Sequence, residues 1–165
     1  MGCAVGLLST YDVQDIDQEI GNLVPHLPMA ELMNGGIIKL EGANGFFNPN
    51  SLLDPSWLKG RMTVEQYRQA IEYINKCAGH SQIGLSKMYN TSERTARLNM
   101  KTQAGMRAVE EINKSHPGMH WTYQVTAQNL QMNVSWELQP EQRLMQGGRR
   151  PIGRSTLTIL YITLQ

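Results

Sequence analysis

Cys77 and His80, with His116 and His120 further along, are the residues of this sequence whose types could hold a metal. Thiolate and imidazole are zinc's preferred protein ligands, and two spaced pairs can supply four of them. The spacing argues against it: Cys-x2-His followed by His-x3-His is not among the common structural zinc patterns. Cys77 falls beside an apolar helical stripe, where a thiol behaves as a small hydrophobe. His120 falls on the polar side of a strand pattern. A Cys77 nucleophile fares no better, because no third group suggests itself to orient a histidine base. The sequence also lacks a P-loop, a dinucleotide fingerprint, a nucleophile elbow and a defensible carboxylate pair. No catalytic residue, metal ligand or cofactor is assigned, and the chain reads as a non-enzyme.

Two basic groups remain. Arg143, Arg149, Arg150 and Arg154 are interleaved with Gly147, Gly148 and Gly153. Such a loop can meet phosphate, RNA or anionic lipid. No aromatic residues alternate with the arginines to give bases a stacking platform, so a solvated, glycine-loosened loop is the plainer reading. Nucleic acid is therefore not the expected partner. Arg94, Arg97 and Lys101 share one face of a helix pattern. At the start, "MGC" places Gly2 for myristoylation after Met1 is removed, and Cys3 for palmitoylation beside it. One myristoyl chain binds a bilayer only marginally, and a second acyl chain makes attachment stable. Gly6 stands where that motif wants Ser or Thr, and Asp12, Asp15 and Asp17 add no basic support.

The totals set the frame for these groups. With 165 residues and 41% hydrophobic content the chain suits one domain with a real core. A net charge of +1 gives no global field toward nucleic acid or acidic lipid. Two cysteines are too few for a disulfide framework and fit a reducing compartment. No apolar run reaches the roughly 18 residues of a membrane span. "MGCAVGLLST" has no basic region and does not read as a secretory signal. Ten methionines read mainly as adaptable core filler.

Residues 1–34 read as a loosely ordered lead-in and 35–165 as a single domain. "GGIIKLEG" (35–42) reads as a strand between glycines. The turn-rich "ANGFFNPNSLLDPSWLKG" should run extended, pinned by Phe46, Phe47, Leu52, Leu53 and Trp57. A helix over 63–79 follows, capped by Thr63 with Gln66 and stapled by Met62 and Tyr67. Val64, Tyr67, Ile71, Ile74 and Ala78 form its apolar stripe, and Gly79 is its expected stop. A second helix over 92–115 presents Ala96, Met100, Ala104, Ala108, Val109 and Ile112, mostly small residues that allow close approach to the first helix or a sheet. Two period-2 runs, 119–126 and 130–138, read as a hairpin with one covered face. The last strand, "STLTILYITLQ", is apolar on both faces and belongs centrally. The predicted fold is α+β, two helices on one face of a small, mostly antiparallel sheet.

Half of this pattern resembles a known family. "GGIIKL", the aromatic stretch with Pro55, Trp57 and Leu58, and "PSWLKGRMTVEQYRQAIEYINKC" with Tyr67 at the family's helix aromatic are similar in order to one group of proteins. That group contains golgin subfamily A member 7, the cysteine-rich hydrophobic domain proteins and the accessory subunit of the yeast Ras palmitoyltransferase. "TQAGMRAVEEINKSHPGMHWTYQV" resembles the family's second helix and Gly-x-His-Trp strand start. Where the family has a cysteine-rich stretch between its helices, this chain has the polar "AGHSQIGLSKMYNTSER". The resemblance implies a non-catalytic subunit that stabilises a DHHC-type palmitoyltransferase, an integral membrane acyltransferase, at the cytoplasmic face of the Golgi or plasma membrane. The expected docking surface is Phe46, Phe47, Leu52, Leu53, Trp57 and Tyr67, with peripheral membrane contact through Gly2 and Cys3. The alternative expectation is a soluble protein binding anionic ligands or nucleic acid through 143–154.

Overall fold

The structure, a computed structural model, describes residues 9–87, 91–126 and 157–165, with the side chains of 91–94 outside that description. In chain order the elements are α1 (Val13–Leu23), β1 (Glu31–Leu32), β2 (Ile38–Ala43), α2 (Val64–His80), α3 (Thr91–Ser115), β3 (Met119–Thr126) and β4 (Leu157–Leu164). Short 3-10 turns lie at Val24–His26 and Pro55–Leu58. The four strands form one antiparallel sheet in the order β1-β2-β4-β3. This is the predicted α+β fold with β4 in the interior of the sheet, and it carries a third helix.

Alternation in the strands builds the core. Ile38, Ile162 and Trp121 stand in one cross-strand row, and Leu40, Leu160 and Tyr123 in the next. All six are buried among Tyr67, Ile71 and Ile74 of α2 and Ala108, Val109 and Ile112 of α3. Full burial of such a side chain contributes about 1.5–3 kcal/mol. The opposite sheet face carries Lys39, Glu41, Thr122 and Gln124, with Lys39 and Glu41 paired at 3.0 Å. β4 contributes buried residues on both faces, Ile159 on one and Leu160 on the other.

The start of α2 forms as its sequence dictates. Gln66 N–H donates to Thr63 Oγ1 at 3.1 Å, and Thr63 N–H donates to Gln66 Oε1 at 3.0 Å. Met62 and Tyr67 are both buried. Val64, predicted on the apolar stripe, is exposed in the first turn. Gly79 is not the stop: α2 continues to His80, and Gly79 is a notch. A Cβ there would lie 2.6 Å from Ile16 Cγ2 and 2.9 Å from Ile20 Cδ1, so α1 crosses at this point.

The expected loose lead-in is likewise corrected from residue 9 onward. Asp12 and Asp15 form a reciprocal capping box, at 2.8 and 3.1 Å, that starts α1. Ile16 is fully buried, with Ile20 and Leu23 packed beside Phe46 and Ala78. In α3 the predicted inner face is displaced: Ala96 and Met100 are exposed, and Gly105, Ala108, Val109 and Ile112 point inward. Tyr123 decides that phase. A Cβ on Gly105 would sit 2.9 Å from its ring, so only glycine lets α3 lie this close to β3. The predicted partner strand at 130–138 lies outside the described residues.

Candidate docking surface

The segment after β2 turns back at once. Asn44 and Gly45 have φ of 56° and 87°, and Ala43 and Phe46 exchange two backbone hydrogen bonds of 3.0 Å. Asn-Gly is the pair that best tolerates this left-handed, type I′ geometry. The turn drives Phe46 and Phe47 inward, where both are fully enclosed. Asn75 of α2 then clamps Phe47: Phe47 N–H donates to Asn75 Oδ1, and Asn75 Nδ2 donates to Phe47 O, both at 2.7 Å. Asn113 of α3 grips Trp121 on the outer edge of β3 in the same way, at 2.7 and 2.9 Å. Two helix asparagines thus supply the pairing that a neighbouring strand would give. Neither asparagine carries a motif of its own; the signal in the sequence is an amide, Asn75, set beside the apolar Ile74 and Ala78, which implies a buried polar partner.

The predicted aromatic docking surface is therefore corrected. Phe46, Phe47 and Tyr67 complete the domain's own core. Tyr67 meets Ser51 Oγ at 2.7 Å, and burial pushes its phenol up to about 12. Leu52 and Trp57 are half-buried against the same core. Of the expected set, Leu53 is the exposed member, at 61%. Gly2, Cys3, Arg143, Arg149, Arg150 and Arg154 lie outside the described residues.

Two members of the basic helix face, Arg97 and Lys101, turn toward internal contacts, and the Arg94 side chain lies outside the described residues. Arg97 meets the Tyr11 hydroxyl at 3.2 Å, and Lys101 lies 4.0 Å from Glu19 with its amine 5.0 Å above the Phe46 ring. Burial holds the Lys101 amine below its usual value. These two cations serve internal contacts, which weakens the case for an anion site on this face.

Grooves on the surface are open and lined by mixed polar and apolar side chains. One of about 390 Å³ runs between α2 and α3, past Gln69, Tyr73, Glu111 and His116. The Tyr73 hydroxyl donates to Glu111, which holds the phenol protonated, the opposite of what a base or nucleophile requires. Among the described residues, no helix is long and apolar enough to cross a membrane.

What the surface does offer is apolar. Met29, Leu32, Met33 and Leu53 are 42, 47, 40 and 61% exposed. The first three lie in or beside β1, which is an edge strand of the sheet among the described residues. Ala30 N–H donates to Ser51 O at 2.9 Å, which brings the Leu53 segment alongside. Lys59, held at φ 49°, sets its amine over the Gly36 turn next to this rim. Met29 and Met33, with Met100 and Met106 on α3, are surface residues rather than core filler. No family model, curated protein or solved structure matches the chain.

Proposed function

We propose that this protein is a non-catalytic adaptor: an accessory subunit that docks on an integral membrane acyltransferase of the DHHC type. The observation that carries the reading is the rim around β1, where Met29, Leu32, Met33 and Leu53 stand exposed beside a strand that, among the described residues, lies at the edge of the sheet. An edge strand accepts a partner strand through main-chain hydrogen bonds, while flanking apolar side chains add contact area. Thioether side chains adapt to irregular partner surfaces. The order of strand, aromatic segment, two helices and strand supports the family resemblance on which the acyltransferase assignment rests. A cytoplasmic Golgi or plasma-membrane location belongs to the same proposal.

Affinity purification from cells tests it with a Leu32→Glu/Leu53→Glu pair. Both positions are exposed, so the fold should keep its melting temperature to within a few degrees. The wild type should enrich an integral membrane acyltransferase, and the charged pair should lose it. Equal recovery by both chains, or recovery of RNA-binding proteins alone, overturns the proposal.

A further inference from the structure

The segment that precedes the sheet is itself seated like a ligand. Residues 9–11 run antiparallel to 84–87, with Tyr11 N–H to Leu85 O at 3.0 Å, Gly84 N–H to Tyr11 O at 2.9 Å and Lys87 N–H to Ser9 O at 3.0 Å. Helix α1 then lays Ile16 into the notch at Gly79, above the enclosed Ala78 and Phe46. Carboxylates on α1 meet a ring of bases on the body. Asp15 pairs with Lys87 at 2.8 Å, Asp17 with His80 at 3.4 Å, and Glu19 with Lys101 at 4.0 Å. Arg97 stands over the Tyr11 ring beside them. Apart from these pairs, α1 holds on through few apolar side chains: Ile16 is its one fully buried residue.

The seat under α1 therefore has a definite chemistry. Its floor is apolar and flat where Gly79 lacks a side chain. Its rim is cationic, from Lys87, Arg97 and Lys101, drawn from the turn after α2 and from α3, with the His80 ring beside them. We infer that this seat is an interaction surface for an acidic amphipathic helix of a partner protein, and that α1 is the intramolecular occupant such a helix displaces. The matching pattern is the one α1 carries: apolar side chains at i, i+4 and i+7 (Ile16, Ile20 and Leu23) with carboxylates at i−1, i+1 and i+3 (Asp15, Asp17 and Glu19). Charge complementarity selects this occupant, since a basic or neutral amphipathic helix would bring no carboxylate to the same cations.

An occupant in cis competes at the high effective concentration of a tethered segment. A partner helix is therefore taken up in proportion to the fraction of molecules whose seat is open. Salt raises that fraction by screening the exposed pairs, but it weakens the partner's pairs too. The inference uses residues distinct from the β1 rim and stands or falls apart from it.

The test uses the full-length chain in three forms: wild type, Ile16→Asp, and Asp15→Lys/Glu19→Lys. The third leaves the buried Ile16 in place and keeps the experiment decisive where Ile16→Asp fails to fold; it also removes Asp15 from the capping box, which loosens α1 in the same sense. The probe is a fluorescein-labelled peptide of residues 9–26. The expected result is binding to the opened variants at least tenfold tighter than to the wild type. A peptide carrying the two charge reversals, or a scrambled peptide, should bind at least tenfold more weakly. Acetylation of the Lys101 amine, 14% exposed when α1 is seated, should rise several-fold in the same variants as a report of opening. Equal peptide binding by wild type and variants overturns the inference, and so does failure of folded variants with an accessible Lys101 to bind. Preference of the opened chain for phosphatidylcholine–phosphatidylserine vesicles over the peptide also overturns it, and would assign the seat to an anionic lipid surface.

Discussion

Asn75→Asp is the sharpest test of how the core holds the Phe46–Phe47 segment. Asn75 is 2% exposed and makes one bond as acceptor and one as donor, both 2.7 Å, to the backbone of Phe47. Asn75→Ala strands a buried N–H and a buried C=O, each costing about 1–3 kcal/mol, so about 4 kcal/mol in all. That penalty should vary little with pH. Asn75→Asp keeps the shape. As a neutral acid it can donate to Phe47 O and accept from Phe47 N–H, reproducing the amide; as a carboxylate it cannot donate and faces a carbonyl oxygen. Burial raises its folded pKa above the unfolded value of about 3.9. The substituted chain is thus closest to wild type below that value and loses ground as pH rises, by up to about 1.4 kcal/mol per pH unit. The expected deficit against wild type is about 1 kcal/mol near pH 4.5 and about 4 kcal/mol near pH 7.5. For a chain of this length that corresponds to roughly 2–4 °C per kcal/mol in thermal melts followed by circular dichroism. A pH-independent deficit for Asn75→Asp, or an Asn75→Ala cost under about 1 kcal/mol, would refute the clamp.

Three further outcomes follow from the packing. Gly105→Ala gains helix propensity of about 1 kcal/mol but drives its Cβ into the Tyr123 ring, so a net loss of about 1 kcal/mol is expected in urea titrations. The same Gly105→Ala change made in a chain that already carries Tyr123→Val should cost less than it does in the wild type, and strict additivity would deny the contact. Lys101→Met removes a desolvated cation whose partner Glu19 stays half-exposed, so the melting temperature should rise by the equivalent of about 1 kcal/mol. The Lys87 contact, then the Asp12 backbone, hold the Asp15 carboxyl below its usual 3.8. Asp15 therefore stabilises the seated α1 above that value, and the contribution is lost as pH falls below it. Hydrogen-exchange protection factors in Val13–Leu23 should drop ahead of those in α2 between about pH 5 and pH 2.5. Parallel loss in both helices would show that α1 is not a separable unit.

What the sequence revealed and what it hid divide along one physical line. Local chemistry was legible. The Thr63–Gln66 box, the Asn44–Gly45 turn and the period-2 strand at 119–126 depend on residues within a few positions of one another, and each formed. The interior place of β4 was legible because a strand buried on both faces must be apolar on both. Facts set by distant partners were not. Glycine has two uses, positive φ and a missing Cβ, and the sequence cannot say which Gly79 serves until Ile16 arrives from far up the chain. The phase of α3 is fixed by Tyr123 under Gly105, so Lys101 goes in and Met100 out against their ordinary preferences. The capping box of α1 was local and was still missed, because Asp12 and Asp15 read as part of an acidic run.

The same line explains why the expected docking seam moved. Large aromatic side chains are both the commonest hot-spot residues and the largest core fillers. Phe46, Phe47 and Tyr67 carried the first meaning in sequence and took the second once the Asn44–Gly45 turn folded them under α2. What remains outside is aliphatic and thioether: Met29, Leu32, Met33 and Leu53. A rim without an aromatic anchor has less to gain from any one pocket, so its affinity must come from summed contacts and from main-chain pairing along β1. A two-residue strand offers little of that pairing alone. The Ala30 N–H is already taken by Ser51 O, so binding at this edge should run along Leu32 and Met33, and new amide protection at Leu32 in the complex, absent in the free chain, is the signature that such docking must leave.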